Sequence, residues 1–126
     1  MKREIKFRGY NNERKIWLVG DLSYNNEKYY VIPQALCNET IYFPYYEAAP
    51  DSIGQYTGRR DVDGKEIYEG DIVQFSESVA DYVQETYRVE VSYDEDTNGF
   101  YPLYDYQLYD FEVIGNVYEN KELLNQ

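Results

Sequence analysis

The strongest constraint on how this chain can fold is its series of short apolar segments, each interrupted within a few residues by turn-forming side chains. In Glu4–Arg8, Ile5 and Phe7 alternate with charged neighbours, and Thr86–Tyr93 alternates over its whole length. Alternation with a period of two is typical of half-buried strands. The sequence predicts further strands at residues 15–19, 28–32, 40–43, 53–57, 72–75, 100–103 and 111–117. Short strands at this spacing favour a mainly β fold, built as a small barrel or a sandwich.

Helix is expected at only two places. The apolar residues of Ser76–Glu85 have helical spacing, and Ser78 with Asp81 resembles a capping box. The pattern therefore predicts a short helix in this segment. Near the end of the chain, Asn120 could cap a second short helix that extends through Leu124.

Composition excludes the commonest catalytic designs. The chain has 126 residues, a formal net charge of −12, no His and a single Cys, Cys37. Without His, neither a Ser-His-Asp nor a Cys-His unit can form, and one Cys without His cannot build a Cys/His zinc site or an internal disulfide. We therefore expect a non-catalytic protein without a cofactor. No apolar run reaches the ~18 residues of a membrane span, and no signal region is recognisable, so a cytoplasmic location is expected.

The charge is unevenly distributed. Residues 1–60 contain nine basic and seven acidic residues, whereas residues 61–126 contain three basic and 17 acidic residues. Within residues 77–112, ten acidic residues accompany one cation, Arg88. An acidic surface opposes binding to a phosphate backbone and suits a basic protein partner. A specific form of this prediction is mimicry of nucleic acid, in which carboxylates on a rigid β scaffold occupy the basic groove of a DNA-binding protein.

Tyrosine is unusually frequent, with 17 residues in the chain. Each ring can bury ~150–250 Å² while its hydroxyl stays solvated or hydrogen-bonded, so packing on sheets explains much of the excess. Tyrosine is also enriched in the hot spots of protein interfaces. An acidic aromatic stretch is therefore the candidate partner-binding surface, with Tyr101, Tyr104, Asp105, Tyr106, Tyr109 and Asp110. Packing within the fold is the alternative interpretation of the same residues.

A second candidate surface lies in the first strands, where cations and rings cluster: Lys6, Arg8, Arg14, Lys15 and Trp17. Bases stack on such rings while phosphates pair with such cations, so this half could be a nucleic-acid-binding module. The net charge opposes that alternative, and a solvated strand face is the simpler interpretation. The opposite charges of the two halves also predict attraction between two copies of the chain, as in a homo-oligomer.

Two carboxylate patterns could hold a metal. Asp94–Gly99 matches the beginning of a calcium-binding loop, with oxygen ligands from Asp94, Asp96, Asn98 and Asp105. A strand precedes this segment instead of a helix, so a polar turn between strands is the competing interpretation. Pairs such as Asp61 with Asp63 leave a metal-dependent hydrolase as a further functional alternative.

Three segments carry a resemblance to a known family: Ile5–Arg8, Gln55–Val73 and Val113–Asn120. Together they resemble the YopX-like family of phage and prophage proteins. The resemblance implies a β-rich subdomain in residues 1–50, and an SH3-like barrel with a short C-terminal helix in residues 51–126. It also implies a phage or prophage origin in a Gram-positive host, and hence the cytoplasm of a bacterial cell. It implies no activity.

Overall fold

Strands make up most of the computed structural model, which describes residues 4–34, 46–105 and 109–125, without the side chain of Asp105. The strands of these residues are β1 (Phe7–Asn11), β2 (Ile16–Asn25), β3 (Lys28–Ile32), β4 (Gly54–Arg60), β5 (Glu66–Tyr68), β6 (Asp71–Ala80), β7 (Val83–Glu90), β8 (Ser92–Asp94), β9 (Gly99–Tyr101) and β10 (Glu112–Asn116). Short 3-10 helices span Pro50–Ser52, Leu103–Asp105 and Lys121–Asn125. The mainly β fold predicted from the alternating segments is confirmed. The strand predicted at residues 40–43 lies outside the described residues.

The chain forms two compact units, divided between Tyr56 and Thr57. In the first unit the strands follow the order β3-β2-β1-β4, and each neighbouring pair is antiparallel. Gly9, in the middle of β1, is required by packing, because a Cβ at this position would lie 2.6 Å from the Cβ of Ala48. This close approach brings β1 onto the apolar cluster that contains Leu18, Val31 and Ala48.

The second unit contains the β10-β6-β7 sheet, the β8–β9 hairpin, and β5 beside the end of β4. Its core gathers side chains that are remote in sequence: Ile67, Val73, Val91, Leu103 and Phe111. Half-buried aromatic rings extend this core, and the Phe75 ring centroid lies 4.9 Å from that of Phe111. Within the described residues the sheets are open and none closes into a barrel, so the predicted SH3-like barrel is not confirmed.

The helix predicted for Ser76–Glu85 is wrong. Residues 71–80 and 83–90 are instead the two strands of a long antiparallel hairpin, joined at Asp81 and Tyr82. The apolar residues of this segment satisfy a helical spacing, but pairing with a whole second strand outweighs that local pattern. Every residue from Ser78 to Thr86 is exposed, so the distal part of the hairpin is a solvent-exposed arm.

Two glycines stand at positions with special backbone requirements. Gly64 has a φ of +85°, as a tight turn after Asp63 requires. The β6–β10 register shifts between Val113 and Gly115, as at a β-bulge. A Cβ at Gly115 would lie 2.8 Å from Asn120 Oδ1.

The predicted capping role of Asn120 is wrong. Its Oδ1 accepts a hydrogen bond at 3.2 Å from the N–H of Asn116, which precedes it in the chain, and not from an N–H of the helix that follows. The Asn120 N–H in turn donates to the Asn116 carbonyl at 2.7 Å. The segment that follows, Lys121–Asn125, is a 3-10 helix instead of an α-helix.

Candidate functional site

One face of the first unit's sheet gathers the cations and rings of its first strands. Trp17 lies directly opposite Tyr10, and their rings meet edge to face with centroids 5.3 Å apart. The guanidinium carbon of Arg8 lies 4.9 Å from the centre of the Trp17 ring. Lys6 alternates onto the same face, with its Nζ 4.9 Å from the centre of the Tyr56 ring. The structure thus brings Lys6, Arg8 and Trp17 together.

The cations of this face already interact within the protein. Lys6 Nζ lies 2.6 Å from Glu4 Oε1, and Arg8 stacks on Trp17. Arg14 and Lys15 lie elsewhere, in the turn between β1 and β2. Up to Tyr56 the sequence contains seven basic and seven acidic residues, so the first unit has no net positive charge with which to attract phosphate.

The predicted calcium loop connects β8 to β9 as a polar turn. Asp94 Oδ1 accepts a hydrogen bond from the Asp96 N–H at 3.0 Å, and its Oδ2 accepts one from the Tyr104 hydroxyl at 2.6 Å. Asn98 Oδ1 accepts one from a tyrosine hydroxyl at 3.1 Å. Among the residues described, no group of three or more Asp, Glu, His or Cys side chains is placed to hold a metal ion. The side chain of Asp105 lies outside those residues, and the calcium site stays a prediction.

Tyr101 and Tyr104, two residues of the predicted partner surface, form an exposed pair with ring centroids 6.2 Å apart. Tyr104 packs over Gly99, where a Cβ would lie 3.2 Å from its ring. The hydrogen bond from Tyr104, followed by that from the Asp96 N–H, holds the pKa of Asp94 below its usual 3.8. The same bond to Asp94 raises the pKa of Tyr104 above its usual 10.0. Tyr106 lies outside the described residues.

Tyr109 belongs partly to the core of the second unit. Its ring centroid lies 5.2 Å from that of Phe75 and 5.9 Å from that of Phe111. The hydroxyl remains at the surface end of the ring and donates to Glu77 Oε1 at 3.0 Å. The packing interpretation therefore applies to the ring of Tyr109, and its role in partner binding stays a prediction. The adjacent Asp110 is exposed.

Tyr109 and Asp110 line a groove of about 470 Å³ in the second unit. The rest of the lining comes from β6, β7, β10 and the turn after β4: Val62, Gln74, Phe75, Ser76, Gln84 and Glu112. Its lining combines two aromatic rings with two amides, a hydroxyl and two carboxylates. We call this groove the acidic groove. Sequence reasoning identified Tyr109 and Asp110, but it missed Glu112 and the β6 residues because the pairing of β6 with β10 is not visible locally.

The two carboxylates of the acidic groove are exposed, and none of the described residues pairs with them. Neither Asp110 nor Glu112 has a hydrogen bond or ion pair from its side chain to another described residue. The cation Arg88 lies opposite Gln74, which lines the groove, and its Nε donates to Gln74 Oε1 at 2.9 Å. Such a groove can accept a cationic group together with an apolar or aromatic one.

Two other carboxylates hold the backbone together. Asp61 Oδ1 accepts the N–H groups of Asp63 and Lys65 at 2.9 and 2.8 Å, and its Oδ2 accepts that of Val113 at 3.0 Å. Buried Asp71 accepts the Tyr68 N–H at 2.7 Å. Because their oxygens bind backbone donors, these side chains stabilise turns. The turn sequences Asp61–Gly64 and Glu69–Asp71 are the signal that could have identified this role.

Within the described part of the chain, no helix has the length and apolar character that a membrane crossing needs.

Comparison with known proteins identifies the family. A family model described as YopX protein matches residues 6–125. No curated protein matches the chain. Among solved structures, the crystal structure of protein EF1440 from Enterococcus faecalis is similar, with a TM-score of 0.51, 20% identity, and coverage of 98% of this chain and 99% of that chain. At that identity the likeness concerns the fold alone. Because the family model covers nearly all of the sequence, the chain belongs to the YopX family.

Proposed function

We propose that this protein is a non-catalytic, protein-binding accessory protein of a phage or prophage, acting in the cytoplasm of its bacterial host. The acidic groove of the second unit is its partner-binding site. The observation that carries the proposal is the pair of exposed carboxylates, Asp110 and Glu112, which have no partner among the described residues and line a groove together with two aromatic rings.

The charge of the second half supports a basic partner. Residues 61–126 contain three basic and 17 acidic residues, which gives this half a negative field that attracts cationic surfaces and repels phosphate. The exposed pair Tyr101 and Tyr104 adds aromatic surface of the kind enriched in interfaces. Mimicry of nucleic acid is one form of this proposal, since a basic DNA-binding protein presents the required surface. Self-association of the chain stays a prediction.

Binding of a labelled oligoarginine peptide, followed by fluorescence anisotropy, tests the proposal. The variant Asp110→Asn/Glu112→Gln removes two charges from the acidic groove, and Glu95→Gln/Asp96→Asn removes two from the exposed β8–β9 turn. We expect the groove variant to weaken binding by about five- to tenfold and the turn variant by less than about twofold. Equal losses would show that the peptide responds only to net charge, and would contradict a site in the groove.

A second candidate is nucleic-acid binding by the first unit, favoured by the stacking of Arg8 on Trp17. Because Lys6 is paired with Glu4 and the unit has no net positive charge, we rank it below protein binding. Filter binding of single- and double-stranded DNA at low salt distinguishes the two. Retention of DNA that Arg8→Glu abolishes would favour this candidate, and absence of retention would eliminate it.

A further inference from the structure

The strand β6 is longer than the strand that pairs with it on one side. β6 runs from Asp71 to Ala80, but its pairing with β10 ends at Gln74, opposite Glu112. On the other side, β7 pairs with β6 as far as Ala80. Beyond Gln74, β6 thus has an edge with no strand partner among the described residues, and Ser76, Ser78, Val79 and Ala80 on it are exposed.

The hydrogen-bonding direction along this edge follows from the neighbouring rungs. Val113 lies opposite Val73, yet its N–H donates to Asp61 Oδ2, so these two residues form a non-hydrogen-bonded pair. In an antiparallel ladder such pairs alternate with hydrogen-bonded ones. Gln74 therefore directs its N–H and C=O towards β10. By the same alternation, Ser76 directs its N–H and C=O to that side, where β10 no longer continues.

The backbone of Ser76 therefore faces the acidic groove, of which Ser76 is a lining residue. An unpaired edge is a template for a further strand, and extended peptides bind many proteins in this way. Asp110 and Glu112 line the same groove, and within the described part of the chain their side chains have no partner. Their charges select a cationic segment.

We propose that an extended, basic segment of a partner protein adds to β6 at Ser76–Ala80 as a strand, in line with β10. Backbone hydrogen bonds to Ser76 and Ser78 hold the segment, and its Arg or Lys side chains pair with Asp110 and Glu112. This inference rests on the proposed function, because it specifies how the acidic groove binds its partner.

Two peptides of equal charge test the backbone part of the proposal. One alternates Arg with Val; the other alternates Arg with Pro and cannot donate backbone N–H groups at its Pro positions. We expect the wild-type protein to bind the Arg-Val peptide at least about tenfold more tightly than the Arg-Pro peptide, which corresponds to about 1.4 kcal/mol. If both bind equally and Asp110→Asn/Glu112→Gln weakens both, strand addition is overturned while the proposed function stands. If neither binds, both proposals fail.

Matched proline variants locate the edge. Ser76 and Thr86 lie directly opposite each other, with their hydroxyls 2.9 Å apart. The alternation of the ladder places their backbone N–H groups on opposite edges of the β6–β7 hairpin. Ser76→Pro should remove the preference for the Arg-Val peptide, whereas Thr86→Pro should keep it. The reverse result would place the added strand on β7 and overturn the proposal.

A measurement on the wild-type chain does not depend on how the variants fold. Hydrogen exchange of the Ser76 amide should slow when the Arg-Val peptide binds, and unchanged exchange would contradict the added strand. Light scattering of the protein without peptide tests whether a second copy of the chain, instead of a basic partner segment, adds to this edge. If the chain self-associates and Ser76→Pro abolishes that association, a second copy of the chain supplies the added strand. The proposal of a basic partner segment is then wrong.

Discussion

Glu77 and Glu85 lie directly opposite each other in the β6–β7 hairpin, and each carboxylate accepts a hydrogen bond from a tyrosine hydroxyl. The donors are Tyr109, at 3.0 Å from Glu77, and Tyr87, at 2.8 Å from Glu85. Like charges directly opposite on one face of a sheet destabilise it. The two phenols donate hydrogen bonds to the carboxylates in place of a cation. The hairpin therefore keeps both negative charges, and their repulsion lowers its stability.

Removing one charge of this pair should stabilise the protein. We expect Glu85→Gln to raise the free energy of unfolding by ~0.2–0.5 kcal/mol, since the amide oxygen still accepts from Tyr87 while the repulsion disappears. Urea unfolding at low and high salt measures the effect, which should shrink as salt screens the charges. Glu90→Gln is the matched control because Glu90 lies opposite apolar Ile72. An equal gain in the control would show that only net charge matters.

The hydrogen bond between Tyr104 and Asp94 should make stability depend on pH at both extremes. The pKa of Asp94 is lowered in the fold, so its contribution to stability is complete above its ordinary value and is lost as the pH falls through the folded pKa. The pKa of Tyr104 is raised, so its contribution is complete below its ordinary value and is lost as the pH rises through the folded pKa.

Carboxyl chemical shifts measured by NMR against pH test this coupling. In Tyr104→Phe the pKa of Asp94 should rise towards its ordinary value, because the largest cause of its shift is removed. Tyr101→Phe should leave the pKa of Asp94 unchanged. An Asp94 pKa that is the same in Tyr104→Phe and the wild type would refute the coupling.

Asp61 should be essential for the stability of the second unit. Asp61→Ala leaves three backbone N–H groups without their acceptor, and we expect a loss of about 3 kcal/mol or more in the free energy of unfolding. Asp63→Ala, two residues away on an exposed side chain, should change it by less than about 0.5 kcal/mol. Similar losses for the two variants in chemical denaturation would contradict the role of the buried carboxylate.

Tyr82 at the end of the arm is held in a conformation that suits glycine. Its φ is +61° and its side chain is fully exposed, so no packing compensates the strain. Tyr82→Gly should raise the melting temperature and increase the free energy of unfolding by about 0.5–1 kcal/mol. Tyr82→Ala removes the ring but keeps the Cβ, and it should leave the stability near that of the wild type. Destabilisation by glycine would show that the turn conformation is not strained.

Local chemistry made part of the fold predictable. Gly64 and Gly115 stand where the backbone needs a positive φ or a close approach, and a single sequence shows such needs. The arm was not predictable in the same way, because Ser76–Glu85 satisfies a helical spacing but forms the end of a hairpin, in which the two strands pair with each other.

The candidate site was predictable only in part for the same reason. Tyr109 and Asp110 are recognisable from an acidic aromatic stretch, whereas Glu112 and Ser76 join them through a strand pairing that spans many residues. The turn sequences around Asp61 and Asp71 point to their role, but the burial of these carboxylates is not visible in the sequence, since it depends on the completed turns.

The most direct test of a partner-binding acidic groove is a map of backbone amide shifts by NMR as the alternating Arg-Val peptide is added. The largest changes should fall on Ser76 and Ser78 of β6 and on Asp110 and Glu112, which border the groove. The acidic groove would be contradicted as the binding site if the changes were confined to the face of Arg8 and Trp17. It would also be contradicted if no shifts changed in the presence of excess peptide.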